Sequence, residues 1–324
     1  MGEIAVVVKE ARQLTPAIRE LVLGSADGAA LPAWEPGAHI EIDVKLPDGT
    51  VEARAYSLIG GTVDRDDPPD RYRIAVERQP ESRGGSRFLH DEVAVGATLS
   101  ISPPKNEFPL HLHKADRVLV AGGIGVAPIY AMARALTRQG IPFELHYAGP
   151  AAEEMAYREE LQRLAGDHAH FHYEGGHLDL DGVFGELGYP AEVYICGQRP
   201  FNQALATSAL EHGLSRMQIM QQCFDPPLPP VPNDNIAFEV ELRNSGITVE
   251  VPPEASILET LLSAGYHAQF YCGRGECGFC PLPVLETDGE IVHRDHYLQP
   301  EEKGEQLCIC VSRLKTGTKL VLDA

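Results

Sequence analysis

The chain has 324 residues, 44% of them hydrophobic, 7 cysteines and a formal net charge of −20. That length calls for two or three domains, and the acidity denies duplex nucleic acid and anionic membranes the basic surface they need. No apolar run approaches the roughly 20 residues of a membrane span.

The start, MGEIAVVVKEARQL, alternates like a strand and lacks the pattern of a secretory leader. A cytoplasmic protein is therefore expected. Thiols stay reduced there, so clustered cysteines point to metal or redox chemistry rather than disulfides. The charge reads as solubility, or as an acidic docking face for a basic protein.

Residues 1–112 read as strands. IAVVVK, IRELVLG, HIEIDVKL, VEARAYSLI, RYRIAVER and TLSISPP alternate or carry β-branched residues, with turns such as PDGT at 47–50 between them. Six such strands predict an antiparallel β-barrel, interrupted by a short helix near SRFLHDEV. Residues 113–224 change rhythm. RVLVAGG, FELHYAG, AHFHYEG, AEVYICG and RMQIMQQCF read as strands. VAPIYAMARALTRQG, AAEEMAYREELQRLAG and PFNQALATSALEHG read as the helices between them. The alternation predicts a parallel sheet with helices on both faces. DPPLPPVPNDN, 225–235, holds five prolines and reads as a stiff linker. Residues 236–324 form a small third domain with strands IAFEVELR, GITVEVP and KLVLDA, the helix SILETLLSAG and a cysteine loop.

In that loop, YCGRGECGFCPLPV, Cys272, Cys277 and Cys280 are spaced by four and two residues, and 29 residues separate Cys280 from Cys310. Four thiolates at this spacing fit a plant-type 2Fe–2S cluster. Gly273, Gly275 and Gly278 let the backbone wrap closely and aim amides at sulfur. Zinc is the structural alternative, but its sites usually pair cysteines in each half. Cys308 could compete as fourth ligand; the spacing favours Cys310. Cys196 and Cys223 are too distant in sequence to belong to the set.

Four weaker motifs precede it. In RAYSL, Arg54 can neutralise a phosphate, Tyr56 can pack on a ring system and Ser57 can hydrogen-bond one, with Ala55 between them. An Arg–Tyr pair on a barrel strand is otherwise structural. Gly84, Gly85 and Ser86 offer amides at a helix start, a phosphate-binding arrangement or a plain helix start. In AGGIGVAP, Gly122, Gly123 and Gly125 allow a pyrophosphate close to the backbone, or simply make a packing turn. The G-x-G-x-x-G fingerprint is absent. In ICGQRP, Cys196 and Gly197 leave room for a nicotinamide ring, although Cys196 also reads as an ordinary buried thiol.

Taken in order, RAYSL, GGS, GGIGVAP, CGQRP and CGRGECGFC with ICVSRLKTGTKLVLDA resemble the phthalate dioxygenase reductase family, which includes vanillate demethylase reductase subunits. EFPL at 107–110 and HRD at 293–295 extend the likeness over essentially the whole chain. The resemblance implies an FMN-binding β-barrel, a nicotinamide-binding α/β domain and a C-terminal plant-type ferredoxin of β-grasp type. It implies that Arg54, Ala55, Tyr56 and Ser57 hold the flavin, that Gly84, Gly85 and Ser86 hold its phosphate, and that Ala75 and Val76 lie near the ring. It also implies that Phe224 packs against the flavin.

Two positions depart from the family. Gln222 stands where the family usually has an acidic residue. The segment HYAGPAAEEM carries no cation for a 2′-phosphate, which favours NADH over NADPH, while Glu153 or Glu154 could meet ribose hydroxyls. The implied activity is hydride transfer from NADH to FMN, then single electrons through the 2Fe–2S cluster to a Rieske-type oxygenase acting on an aromatic or similar small substrate. No acid–base catalytic residue is nominated, and His39, His111 and His113 read as surface or packing residues. From Ile236 to Ala324 there are 14 Asp/Glu against 7 Lys/Arg, a face that could speed docking with a basic partner. The rivals are an FAD-containing, NADPH-linked ferredoxin or cytochrome reductase, a non-enzymatic iron–sulfur sensor and a zinc-stabilised adaptor.

Overall fold

The computed structural model describes residues 3–59, 70–80, 83–113, 115–173, 176, 178–185, 187, 190–224, 235–270 and 273–324. It divides into two compact units, Met1–Cys223 and Phe224–Ala324. The stretch expected to be a proline-rich linker lies, up to residue 234, outside the described residues.

The first unit opens with β1 (Ile4–Gln13), β2 (Ile18–Ser25), β3 (Ala38–Lys45), β4 (Val51–Ser57), β5 (Arg71–Glu77), β6 (Thr98–Ile101) and the two-residue β7 (Lys105–Asn106). They form one antiparallel sheet in the order β4-β3-β6-β1-β2-β5, with β7 on β3. A bridge from Leu58 to Ile74 draws the two ends of that order together. Apolar side chains on one face of these strands give the sheet a common core. Val6, Val8, Leu21, Leu23, Ile40, Ile42, Val44 and Ile74 point inward and are almost wholly buried, each contributing about 1.5–3 kcal/mol. The helix α1 (Gly85–Asp91) leads from β5 to β6. Arg19 on β2 holds its far end, donating to the carbonyls of Leu89 (2.9 Å) and His90 (2.6 Å). Such a cation satisfies the orphan acceptors of a helix C-terminus.

The same unit continues with β8 (Asp116–Gly122), α2 (Val126–Gln139), β9 (Glu144–Ala148), α3 (Arg158–Ala165), β10 (Ala169–His172), α4 (Leu180–Phe184), β11 (Ala191–Gly197), α5 (Arg199–Glu211) and β12 (Ile219–Cys223). The strands are parallel in the order β10-β9-β8-β11-β12. The order reverses between β8 and β11, and ligands of open α/β sheets bind at the strand ends beside such a reversal. As read from the sequence, α2 stops at Gly140, whose φ of 65 caps it.

One expected helix is not continuous. Residues 151–166 give a 3-10 turn, Ala152–Glu154, and α3 begins only at Arg158. Tyr157 between them has φ 60. Its ring stacks on Tyr130 at 4.7 Å, and its hydroxyl donates to Glu20 Oε2 of β2 at 2.8 Å. This buried anchoring to the barrel overrides helix propensity, which is a weak prior. It also ties the barrel and the nucleotide-type sheet into one unit.

The second unit comprises β13 (Phe238–Leu242), β14 (Ile247–Val251), α6 (Ile257–Ser263), β15 (Pro281–Thr287), β16 (Ile291–Val292), β17 (Gln306–Cys308), β18 (Arg313–Leu314) and β19 (Lys319–Leu322). The main sheet runs β14-β13-β19-β15-β17, with β13 and β19 parallel and β16–β18 a separate ladder. Ser256 caps α6: its Oγ accepts from the Glu259 N–H at 3.1 Å, and the Glu259 carboxylate accepts from the Ser256 N–H at 2.8 Å. The helix buries Ile257, Leu258 and Leu261 against Val240, Leu242, Leu307 and Leu320. Among the described residues no helix is long and apolar enough to cross a membrane.

Candidate functional site

In the barrel, the pleat of β4 sets Glu52, Arg54 and Tyr56 on one half-buried face, Ala55 on the exposed face and Ser57 at the buried end. Arg54 donates to Glu52 Oε2 at 2.5 Å and to the Ala53 carbonyl at 2.9 Å. Its side chain runs beside Gly85, where an added Cβ would lie 3.3 Å from Arg54 Cγ and 3.0 Å from Val44 Cγ2. A guanidinium therefore stands at the start of α1, next to Gly84 and Ser86. The Ser86 hydroxyl accepts from the Gln79 N–H at 3.2 Å. The Leu58–Ile74 bridge draws the end of β4 toward buried Ala75 and Val76 on β5. Burial pushes the Tyr56 phenol above its ordinary range, so it stays protonated and can donate. Cation, helix start and aromatic ring suit a flavin mononucleotide.

At the sheet reversal, Gly122 ends β8, Gly123 and Gly125 lead into α2, and Cys196 and Gly197 end β11. The protein's own atoms fill much of the space these glycines leave. A Cβ on Gly125 would sit 2.0 Å from the Cys196 carbonyl oxygen, so only glycine lets α2 start against β11. A Cβ on Gly122 or Gly197 would reach the Phe201 ring at 2.9 or 2.7 Å. Cys196 is fully buried, and desolvation pushes its thiol pKa well up, so it acts as an uncharged wall.

Sequence reasoning missed Asn202, although it sits one turn into the helix that follows CGQ. Asn202 is buried; its Nδ2 donates to the Gln222 carbonyl at 2.8 Å. Its Oδ1 has no hydrogen-bond partner among the described residues and would lie 3.3 Å from a Cβ on Gly197. A buried acceptor left open at a strand end is a fit for an amide-bearing ring. Gln222 closes a link to the barrel: Ser57 Oγ lies 3.5 Å from Gln222 Oε1. Phe224 follows β12 directly and opens the second unit.

In the second unit, Cys277, Cys280, Cys308 and Cys310 are all buried, and Cys280 Sγ lies 3.1 Å from Cys310 Sγ. Cys272 lies outside the described residues. Contact with the Cys308 thiol, and next with Cys310, lowers the Cys280 pKa toward the thiolate, while the same contact with Cys280 raises that of Cys308. The loop is wound over the HRD segment. Gly278, with φ 75, leaves no room for a side chain, since a Cβ would lie 2.1 Å from the Tyr297 ring. His296 N–H donates to the Gly275 carbonyl at 3.0 Å. Buried Asp295 accepts from the Leu298 N–H at 2.9 Å and the Ser312 hydroxyl at 3.1 Å. The likeness of HRD to a family stretch thus has a physical basis: it is the floor under the thiols. Soft, buried sulfurs on a tightly wound loop suit an iron–sulfur cluster.

Of the histidines read as structural, His39 is buried at β3, and His111 and His113 flank Glu192, His111 Nδ1 at 2.9 Å from Glu192 Oε1.

Comparison with known proteins agrees with these modules. Residues 240–315 match the 2Fe-2S iron-sulfur cluster binding domain, and residues 119–175 match the oxidoreductase NAD-binding domain. The chain is 39% identical over 315 residues to the heme-dependent oxidative N-demethylase beta subunit of Ectopseudomonas mendocina, covering 96% of each. It is similar to the solved structure of phthalate dioxygenase reductase, with a TM-score of 0.64 and 32% identity over 100% of this chain and 98% of that one. It is also similar to full-length CYP116B46 from Tepidiphilus thermophilus, with a TM-score of 0.73 and 34% identity, but spans only 42% of that protein. A flavin-binding barrel, a nucleotide-binding α/β sheet and a 2Fe–2S domain in this order, with relatives matched end to end, make the chain a member of the phthalate dioxygenase reductase-like family of oxygenase reductases.

Proposed function

We propose that this chain takes hydride from NADH through FMN and a 2Fe–2S cluster and delivers single electrons to a Rieske-type oxygenase in the cytoplasm. The observation that carries this reading is the union, in one chain, of a nucleotide-type sheet reversal lined by Gly122, Gly123, Gly125 and Gly197 with a domain whose Cys280 and Cys310 sulfurs stand 3.1 Å apart. When bound, the two groups supply exchange between paired and single electrons.

The residues supply binding and orientation. Arg54, with the amides of Gly84, Gly85 and Ser86, neutralises the flavin phosphate. Tyr56 and Ser57 orient the ring, and Ala75 and Val76 exclude water from it. Asn202 Oδ1 accepts an N–H of the nicotinamide carboxamide. Cys272, Cys277, Cys280 and Cys310 would hold the cluster as thiolates, and Cys308 would remain a packed thiol. The absence of Lys and Arg between Phe143 and Tyr157 favours NADH.

A second reading of the acceptor has support of its own. The relative from Ectopseudomonas mendocina belongs to a heme-dependent demethylase, so a haem oxygenase is the alternative to a Rieske centre.

Acid release and chromatography of the flavin, followed by steady-state reduction of an artificial acceptor with NADH and NADPH, test the core of the proposal. FMN and a preference for NADH are expected. FAD with NADPH would favour the ferredoxin-reductase reading, and reduction by neither nucleotide would overturn the proposal. Turnover with a purified Rieske oxygenase, compared with a haem demethylase, separates the two acceptors.

A further inference from the structure

Away from these sites, five metal-ligating side chains gather on one face of the nucleotide-type sheet. The parallel register sets His170 opposite His146 and His172 opposite Ala148. Alternation then places Glu144 and His146 of β9 on the same face as His170 and His172 of β10, with His168 one step before β10. Across the other edge of β9, Val118 and Val120 pair with Glu144 and His146. That face of β8 packs into the apolar cluster with Val183 and Phe184 of α4 and Leu205 of α5. The histidines therefore continue a core face outward, onto the edge of the sheet.

The rings are ordered with respect to one another. His146 Nδ1 faces His172 Nε2 at 3.3 Å, with the ring planes 17° apart. His170 stacks on His146 at 4.7 Å. The carboxylate of Glu144 meets His168 Nδ1 at 2.6 Å and His170 Nε2 at 3.1 Å.

We propose that this cluster binds a transition-metal dication of the zinc, nickel or copper class, with His146 Nδ1 and His172 Nε2 as the first two ligands and Glu144 or His170 as the third. Two nitrogens bound to a tetrahedral ion at about 2.0–2.1 Å stand about 3.3–3.4 Å apart, so the facing pair already has the spacing of a chelate. Imidazole with one carboxylate is a donor set suited to these ions rather than to magnesium or calcium. Among the described residues no three donors yet converge on one point. The third ligand is recruited by turning the His170 ring or the Glu144 carboxylate, which are 45% and 42% exposed and would exchange their mutual 3.1 Å contact for the metal. The ion would then staple edge strand β10 to β9.

The test is anaerobic calorimetric titration of the holoprotein, flavin and cluster in place, with zinc chloride and with nickel chloride, while the visible spectrum is recorded. One-to-one binding is expected, with an accompanying rise in the thermal midpoint and no loss of cluster absorption. His172→Ala, on the edge strand, should weaken binding at least about tenfold, no less than loss of an outer-sphere partner costs. The double variant His111→Ala/His113→Ala, which removes a different histidine pair, should bind as the unaltered protein does. Absence of saturable one-to-one heat, binding unchanged by His172→Ala, an equal loss in the control, or bleaching of the cluster on titration would each overturn the proposal.

Discussion

Replacing Gly125 by alanine isolates close packing at the sheet reversal. Gly125 has φ −57, an ordinary helical value, so alanine meets no backbone penalty and only sterics act. The new Cβ would lie 2.0 Å from the Cys196 carbonyl oxygen and 2.4 Å from its carbon, both main-chain atoms that cannot rotate away. Restoring a 3.4 Å contact with that oxygen moves the start of α2 back by about 1.4 Å. Overpacking of this kind costs about 1–3 kcal/mol, and an ångström of displacement at a positioning turn costs about 100-fold in rate. Gly140→Ala is the matched control. It has φ 65 with open space around it and lies at the far end of α2, so it should cost about 1 kcal/mol and leave kcat/KM for NADH unchanged. Urea unfolding followed by circular dichroism, with steady-state NADH oxidation, measures both effects. A Gly125→Ala protein with unaltered kcat/KM and stability within about 0.5 kcal/mol would refute the packing argument.

Cys310→Ser should abolish the visible bands and labile sulfide of the cluster while flavin is retained, whereas Cys308→Ser should keep the cluster; the reverse pattern would make Cys308 the ligand. Tyr157→Phe removes the 2.8 Å hydrogen bond to Glu20 but leaves Glu20 its 2.8 Å contact with Arg73, so a loss of about 1–2 kcal/mol in the first unit is expected by urea unfolding. No measurable loss would contradict the anchoring role given to Tyr157. His212, at the end of α5, has its pKa raised by the Ser208 carbonyl and then by Asp181. Its stabilisation is therefore complete below the unfolded value of about 6.5 and disappears as pH rises through the higher folded value. Amide exchange at the end of α5, corrected for intrinsic rates, should quicken between pH 6 and 8 and lose that pH dependence in His212→Gln; unchanged dependence in the variant would contradict it.

Much of the architecture was legible because local signals agreed with tertiary demands. Barrel strands such as β3 and β4 alternate, α2 ends on its glycine, and the thiol spacing is specific enough to suggest a cluster. What escaped was set by contacts distant in sequence. The break before α3 depends on Tyr157 reaching Glu20, 137 positions away. The short strands β7 and β15–β18 are too brief or too irregular for period-two reading. Asn202 carries no motif, and its importance lies in one buried oxygen without a partner among the described residues. The weak glycine motifs were placed at the right strand ends, but Gly125 and Gly197 contact protein atoms that no spacing rule discloses. HRD was recognised as a likeness before its physical task, flooring the cysteine loop, was visible.

The most direct measurement is anaerobic addition of NADH to the holoprotein, followed in the visible spectrum and by electron paramagnetic resonance. Flavin absorption and cluster absorption should both bleach within the one chain, with a reduced-cluster signal appearing, and Cys310→Ser should bleach at the flavin alone. A flavin that NADH reduces beside a cluster that stays oxidised would show that the two groups do not form one electron path.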